Sequence, residues 1–266
     1  MDNYQAALLA IIQGVTEFLP VSSSGHLLLP TQILGWDDQT LAFDVAVHGG
    51  SLIAVIFFLR KELKKLIAAW CKTILTGISS EDTKLAWQLI LASFPAAICG
   101  WAFASVIERN LREILVLAST TIFFGLILGL ADFKGTKNKV LKEMTWYHTT
   151  LIGLSQALAL IPGTSRSGIT ITSALALGYS REDAARFSFL MSIPIITMSV
   201  LYKGSQLGAN DSIDFIPLGI GIIVSAVTAY FCIRSFMLFV TKIGMLPFVI
   251  YRILLGSALF CVAYSQ

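Results

Sequence analysis

The chain has 266 residues, 56% hydrophobic and only 13% charged, with a mean hydropathy of +0.77. A soluble domain carries about 25% charged residues, so a water-soluble fold of this size is excluded and a polytopic α-helical membrane protein is implied. The net charge of +3 implies no nucleic-acid partner.

The N-terminus does not read as a cleavable signal. Asp2 precedes the apolar run, no Lys or Arg does, and Gln13 and Glu17 interrupt it. Residues 4–18 read as a short apolar helix and 23–34 as another, parted by Pro20 and a Ser-Ser-Ser-Gly turn. A crossing helix needs ~20 residues. The two halves therefore read as a helical hairpin that enters and leaves by one side, its broken backbone covered by protein or a watered cavity. Full spans follow at 41–60, 86–106 and 113–131. A second broken pair occupies 149–161 and 164–177, and spans at 184–202, 214–233 and 246–264 complete the chain. The expected fold is all-α: six full transmembrane helices plus two re-entrant helical hairpins in a single integral domain, 1–266. The cysteines Cys71, Cys99, Cys232 and Cys261 show no metal-ligand spacing and read as core filler.

Positive charge orients the chain. The connection after the first span holds Arg60, Lys61, Lys64, Lys65, Lys72 and Lys84, and that after the third holds Lys134, Lys137, Lys139 and Lys142. With Arg181, Arg186, Arg234 and Lys242, fourteen cations lie on one side, against Arg109, Arg112 and Lys203 on the other. Both termini are thereby placed outside the cytoplasm. Arg166 and Arg252 fall within membrane segments.

A shift of 143 residues aligns Leu8 with Leu151, Gln13 with Gln156, Ser22 with Ser165, Ser24 with Ser167 and Gly25 with Gly168. Each half, about 1–131 and 149–266, then reads as a broken hairpin plus three spans. Three is odd, so the halves form an inverted repeat with its site near the midplane. The mismatches carry chemistry: Glu17 faces Leu160, Ser23 faces Arg166 and His26 faces Ile169.

Polar groups at that depth are costly unless used. In the second loop, Gly163, Thr164, Ser165, Ser167 and Thr170 stand at a helix start, where N–H groups bind anions. Arg166 adds a charge able to grip two phosphate oxygens. In the first, Gln13 and Glu17 share a helix face, Ser22, Ser23 and Ser24 cap the next half-helix, and His26 lies one turn into it. A serine near a glutamate and a histidine has the parts of a nucleophile with its base. Glu17 beside an amide also suits a divalent ion such as Mg²⁺ or Ca²⁺. Asp44, four residues before His48, either supports the site from behind or is a helix-end charge. His148 and Arg252 read as interfacial or structural.

The stretches QGVTEFLPVSSSGH and PGTSRSGIT resemble the two signature motifs of the bacterial undecaprenyl-diphosphate phosphatase family, the bacitracin-resistance phosphatases. The resemblance runs over essentially the whole chain. It implies a multi-pass enzyme of the bacterial cytoplasmic membrane, with a site opening to the periplasmic face. That enzyme hydrolyses a polyprenyl diphosphate lipid, undecaprenyl diphosphate, to the monophosphate and inorganic phosphate, recycling the carrier for cell-wall synthesis. It also implies Glu17, Ser23, His26, Ser165, Arg166 and Thr170 as site positions. Many members carry glutamate where this chain has Gln13, which weakens a two-carboxylate metal site. A homodimer is allowed by this reading. The expected chemistry is attack by Ser23 with Glu17 or His26 as base, with His26 as nucleophile or a metal-activated water as variants. The competing class is a lipid-phosphate flippase built on the same anion clamp.

Overall fold

In the computed structural model of the protein, which describes residues 1–111, 113–208 and 214–265, eleven α-helices make up the described fold. Six are long and apolar enough to cross a membrane: α3 (Leu41–Phe58), α5 (Glu81–Asn110), α6 (Ile114–Lys134), α9 (Arg181–Ser205), α10 (Phe215–Ile243) and α11 (Leu246–Ser265). The chain is an all-helical, multi-pass membrane protein. Four more helices are short: α1 (Asn3–Thr16), α2 (Ser23–Leu34), α7 (Trp146–Ala157) and α8 (Arg166–Ala176). At ~1.5 Å per residue none of them crosses a ~30 Å hydrocarbon layer alone.

Small residues let the helices close. A Cβ at Gly14 would land on Thr228 Oγ1 and lie 2.7 Å from the Ser225 carbonyl oxygen, so glycine is what lets α1 sit against α10. The same need recurs at Gly153, where a Cβ would lie 2.8 Å from the Ala92 carbonyl oxygen as α7 meets α5. Lipid supplies no hydrophobic drive between helices, so such close backbone packing carries the association.

Some expectations shift. The basic stretch after the first span is a helix, α4 (Arg60–Thr76), that starts at the residue ending α3, Leu59. Leu66 is buried, Trp70 meets Trp87 edge-on at 5.7 Å, and Glu62 binds Arg186 at 2.8 Å. Lys61, Lys64, Lys65 and Lys72 lie on its exposed side. One narrow apolar stripe under a basic face reads as a loop when only a membrane span is sought. Helix α10 runs ten residues beyond its expected end, because Arg234 and Lys242 ride on helix that continues past the apolar segment. Cys71 and Cys261, read as core filler, are exposed, and Cys99 and Cys232 are only partly buried, since spacing alone does not say which face of a helix a cysteine occupies. Arg112 and the Arg109 side chain lie outside the described residues.

The breaks between the short helices are alike. Ser22, which caps α2, has φ 76° and accepts from the Gly25 N–H; Ser165, which caps α8, has φ 72° and accepts from the Gly168 N–H. A serine at positive φ is strained and persists only when its surroundings hold it. Arg252 of α11 does much of that holding. Its side chain is fully buried. It donates to Pro20 O at 3.2 Å in the first break, and to Gly163 O at 2.8 Å and Thr164 O at 3.0 Å in the second. It also donates to Thr121 O on α6 at 2.9 Å. One guanidinium thus ties both breaks to one spot on α6 and α11.

Replacing Arg252 by Lys keeps the charge but cannot reach this fan of carbonyls. The expected cost is about 3 kcal/mol, through carbonyls left buried and unpaired. Thermal melting in detergent should show a lower midpoint, and an unchanged midpoint would count against the staple.

Candidate active site

Glu17 is the C-cap of α1, just before the turn at Pro20, and is buried. Three groups converge on its carboxylate. Ser23 Oγ donates to Oε2 at 2.7 Å, Gln13 Nε2 donates to the same oxygen at 3.1 Å, and Arg166 Nη2 meets Oε1 at 3.2 Å. Gln13 reaches it because residues four apart share a helix face. Ser23 reaches it because the chain reverses through residues 17–22. Arg166 comes from 149 residues away. The carboxylate is buried and the guanidinium largely so, with side chains 7% and 13% exposed, and each would be costly alone, so the pair and its hydrogen bonds are what make the burial tolerable.

The second break adds polar support. Arg166 Nη1 donates to the Ser188 carbonyl oxygen at 3.0 Å, and the guanidinium carbon lies 5.9 Å from the centre of the Phe18 ring. Thr170 Oγ1 is 2.7 Å from Ser188 Oγ. Ser167 Oγ donates to Leu19 O at 2.8 Å, a second tie between the breaks. Thr164 Oγ1 is buried with no hydrogen-bond partner. Gly163, at φ 88°, packs under α6, where a Cβ would lie 2.8 Å from the Leu117 carbonyl oxygen. That approach brings the loop backbone down among Thr120 and Thr121.

The structure therefore gathers Gln13, Glu17, Ser23, Arg166, Ser167 and Thr170 around one spot. Ser22 and Ser165 serve as caps, and Ser24 lies 3.4 Å from Ser22 Oγ. His26 is nearby but turned elsewhere. Its Nδ1 is 2.7 Å from Ser22 O, and its Nε2 bonds the Tyr251 hydroxyl. Asp44 is engaged away from this group, with Lys203 at 2.7 Å and Gln39 at 3.3 Å. Its position at the start of α3 accounts for that, because Lys203 closes the last turn of α9.

Two participants escaped sequence reasoning: Ser188, one of several hydroxyl residues in an apolar span, and Tyr251 on α11. Arg252, read as interfacial or structural, is structural, a buried arginine in an apolar run that ties main-chain carbonyls. As to a metal, no cluster of three His, Cys, Asp or Glu exists among the described residues. Glu17 supplies the one carboxylate, and Gln13 Oε1 is a buried oxygen without a partner. Gln156 Oε1, at the matching position of the second half, is equally unpartnered, so that orphan alone does not mark a cation. The set suits a hard divalent ion only where phosphate oxygens complete its shell.

Residues 6–258 match the family described as bacitracin resistance protein BacA. The chain is 54% identical over 264 residues to the undecaprenyl-diphosphatase of Saccharophagus degradans, covering 99% of both chains. It is 54% identical to the undecaprenyl-diphosphatase of Aliivibrio salmonicida, over 97% of both. With that of Teredinibacter turnerae the identity is 53%, over 98% of this chain and 99% of the relative. A carboxylate–serine–arginine group between two serine-capped breaks thus sits in a chain whose similarity to these proteins is end to end, and the chain belongs to the bacitracin resistance protein BacA family.

Proposed function

We propose that the chain is a membrane-embedded phosphatase that hydrolyses undecaprenyl diphosphate to undecaprenyl phosphate and inorganic phosphate. The relatives' names point to that activity over the full chain. The observation that carries its chemistry is the Ser23 hydroxyl donating to Glu17, with Arg166 on the other carboxylate oxygen. This is the geometry of a nucleophile on its base beside an anion clamp.

In this reading the terminal phosphate takes Arg166 from Glu17. The guanidinium, the Thr164 hydroxyl and the start of α8 then hold the phosphate and offset the charge that builds during transfer. The released carboxylate accepts the Ser23 proton as Oγ attacks phosphorus. The bond from phosphorus to the bridging oxygen breaks, and the electron pair leaves with the lipid monophosphate. Water then attacks the phosphoserine, frees inorganic phosphate and restores the serine hydroxyl. Ser23 is preferred over His26 as nucleophile because Ser23 alone of the two bonds Glu17. A divalent ion held by Glu17, Gln13 Oε1 and the diphosphate would neutralise substrate charge when bound.

The surroundings fit the same reading. Four short helices in two serine-broken pairs read as two re-entrant hairpins of an inverted repeat, since Ser22 and Ser165 take the same cap geometry 143 residues apart. The excess of Lys and Arg on one side of the spans supports a cytoplasmic assignment for that side, and the family resemblance implies a site that opens to the opposite, periplasmic face of the bacterial cytoplasmic membrane. Every group named comes from one chain, so the chemistry needs no second copy even where a homodimer forms.

Three outcomes test this in detergent, by release of inorganic phosphate from the diphosphate lipid. Ser23→Ala should lower turnover by about 10³-fold or more and abolish any trapped phosphoenzyme; a variant that still releases phosphate briskly excludes serine attack. Arg166→Lys should lose about 10²-fold, because a point charge cannot reproduce the fork; near wild-type rates would exclude a bidentate clamp. Gln13→Glu should retain activity and reach half-maximal rate at a lower Mg²⁺ concentration, and a raised requirement would argue against a shared cation. Lipid movement in vesicles with no phosphate released would point to transport instead.

A further inference from the structure

The two nitrogens of His26 face different partners. Nδ1 lies 2.7 Å from the Ser22 carbonyl oxygen, which can only accept, so Nδ1 carries the hydrogen. In the neutral ring Nε2 is then an acceptor, and the Tyr251 hydroxyl donates to it. The two rings stack, with centroids 5.6 Å apart and an angle of 10° between planes. Both nitrogens are thus committed away from the Ser23–Glu17 pair. His26 is not placed as the base for Ser23, and something else must account for its position in the first break.

Tyr251 stands on a fixed base. The next residue on α11 is Arg252, whose guanidinium holds the carbonyls of Pro20 and Thr164. Helix α11 cannot slide along α2 without breaking those bonds, so the tyrosine is held in register with the imidazole. The burial pattern is uneven: His26 is 8% exposed, Arg252 fully buried and Tyr251 43% exposed. The tyrosine therefore joins a buried imidazole to the open flank of α11, two helices from opposite ends of the chain meeting at one hydrogen bond.

We propose that Tyr251 is a positioning residue for the hydrolysis: its hydroxyl, donating to Nε2, fixes the His26 ring so that Nδ1–H keeps hold of the Ser22 carbonyl oxygen, next to the nucleophile Ser23. Tyr251 acts through His26. This rests on the phosphatase reading, and phosphate release by the wild-type protein in the same assay separates a failure of that reading from a failure of this one.

The test is a double-mutant cycle on Tyr251→Phe and His26→Ala in the intact protein. Phenylalanine keeps the stacked ring and removes only the hydroxyl. The expected result is a kcat lower by about tenfold, with KM changed less than about twofold and an unchanged melting midpoint. In the His26→Ala background the same change should have no further effect, because the group it orients is gone. Three results would overturn the proposal: Tyr251→Phe at wild-type kcat, a loss that multiplies fully with that of His26→Ala, or a Tyr251→Phe protein that no longer melts cooperatively. The last would make the hydroxyl a requirement for folding.

Discussion

A carboxylate and a guanidinium, each expensive to take out of water, are held 3.2 Å apart between two broken helices. Neither Glu17 nor Arg166 would be tolerated there alone, and together they remain worthwhile only if every remaining lone pair and proton has somewhere to go. Much of the local architecture answers that demand. Gln13 and Ser23 finish the carboxylate, and Ser188 takes the other arm of the guanidinium. The pair also fixes which loop faces which, because one charge comes from each break. In the mechanism proposed above, such a pair is a substrate site filled by its own counter-charge, exchanged when phosphate arrives.

The two breaks share a shape and divide the chemistry. Each has a serine at positive φ, a glycine whose N–H the serine accepts from, and a second serine within 3.4 Å or 3.2 Å of the cap hydroxyl. Helix starts of this kind favour anions. The first break adds a carboxylate and an imidazole, and the second adds a guanidinium. Such a division suits bond breaking better than passage, because a path through the protein needs no nucleophile and a hydrolase does.

What the sequence reveals follows from how local each feature is. The starts of α2 and α8 were legible because serine caps and glycines act within a few residues. The six spans were legible because a ~20-residue apolar run has few other uses. The convergence of Glu17, Ser23 and Arg166 was suggested by the mismatches between the halves, which placed unlike groups at matching positions. The rest was not local. Helix α4 hides under its lysines. Arg252 binds main-chain carbonyls, which leave no trace in side-chain identity, and Asp44 could be assigned a partner only once the end of α9 was placed beside the start of α3. His26 carried a motif but not a direction, and its direction is set by Tyr251, 225 residues away.

Arg252 has a consequence for how the protein comes into being. The carbonyls it grips lie 232 and 88 residues earlier in the chain. A ribosome therefore delivers both broken helices to the membrane well before it makes the side chain that ties them. Until then the two strained serines lack their clasp, and the halves of the site have no common anchor. The two breaks are thus made early, and the anchor they share on α11 comes last.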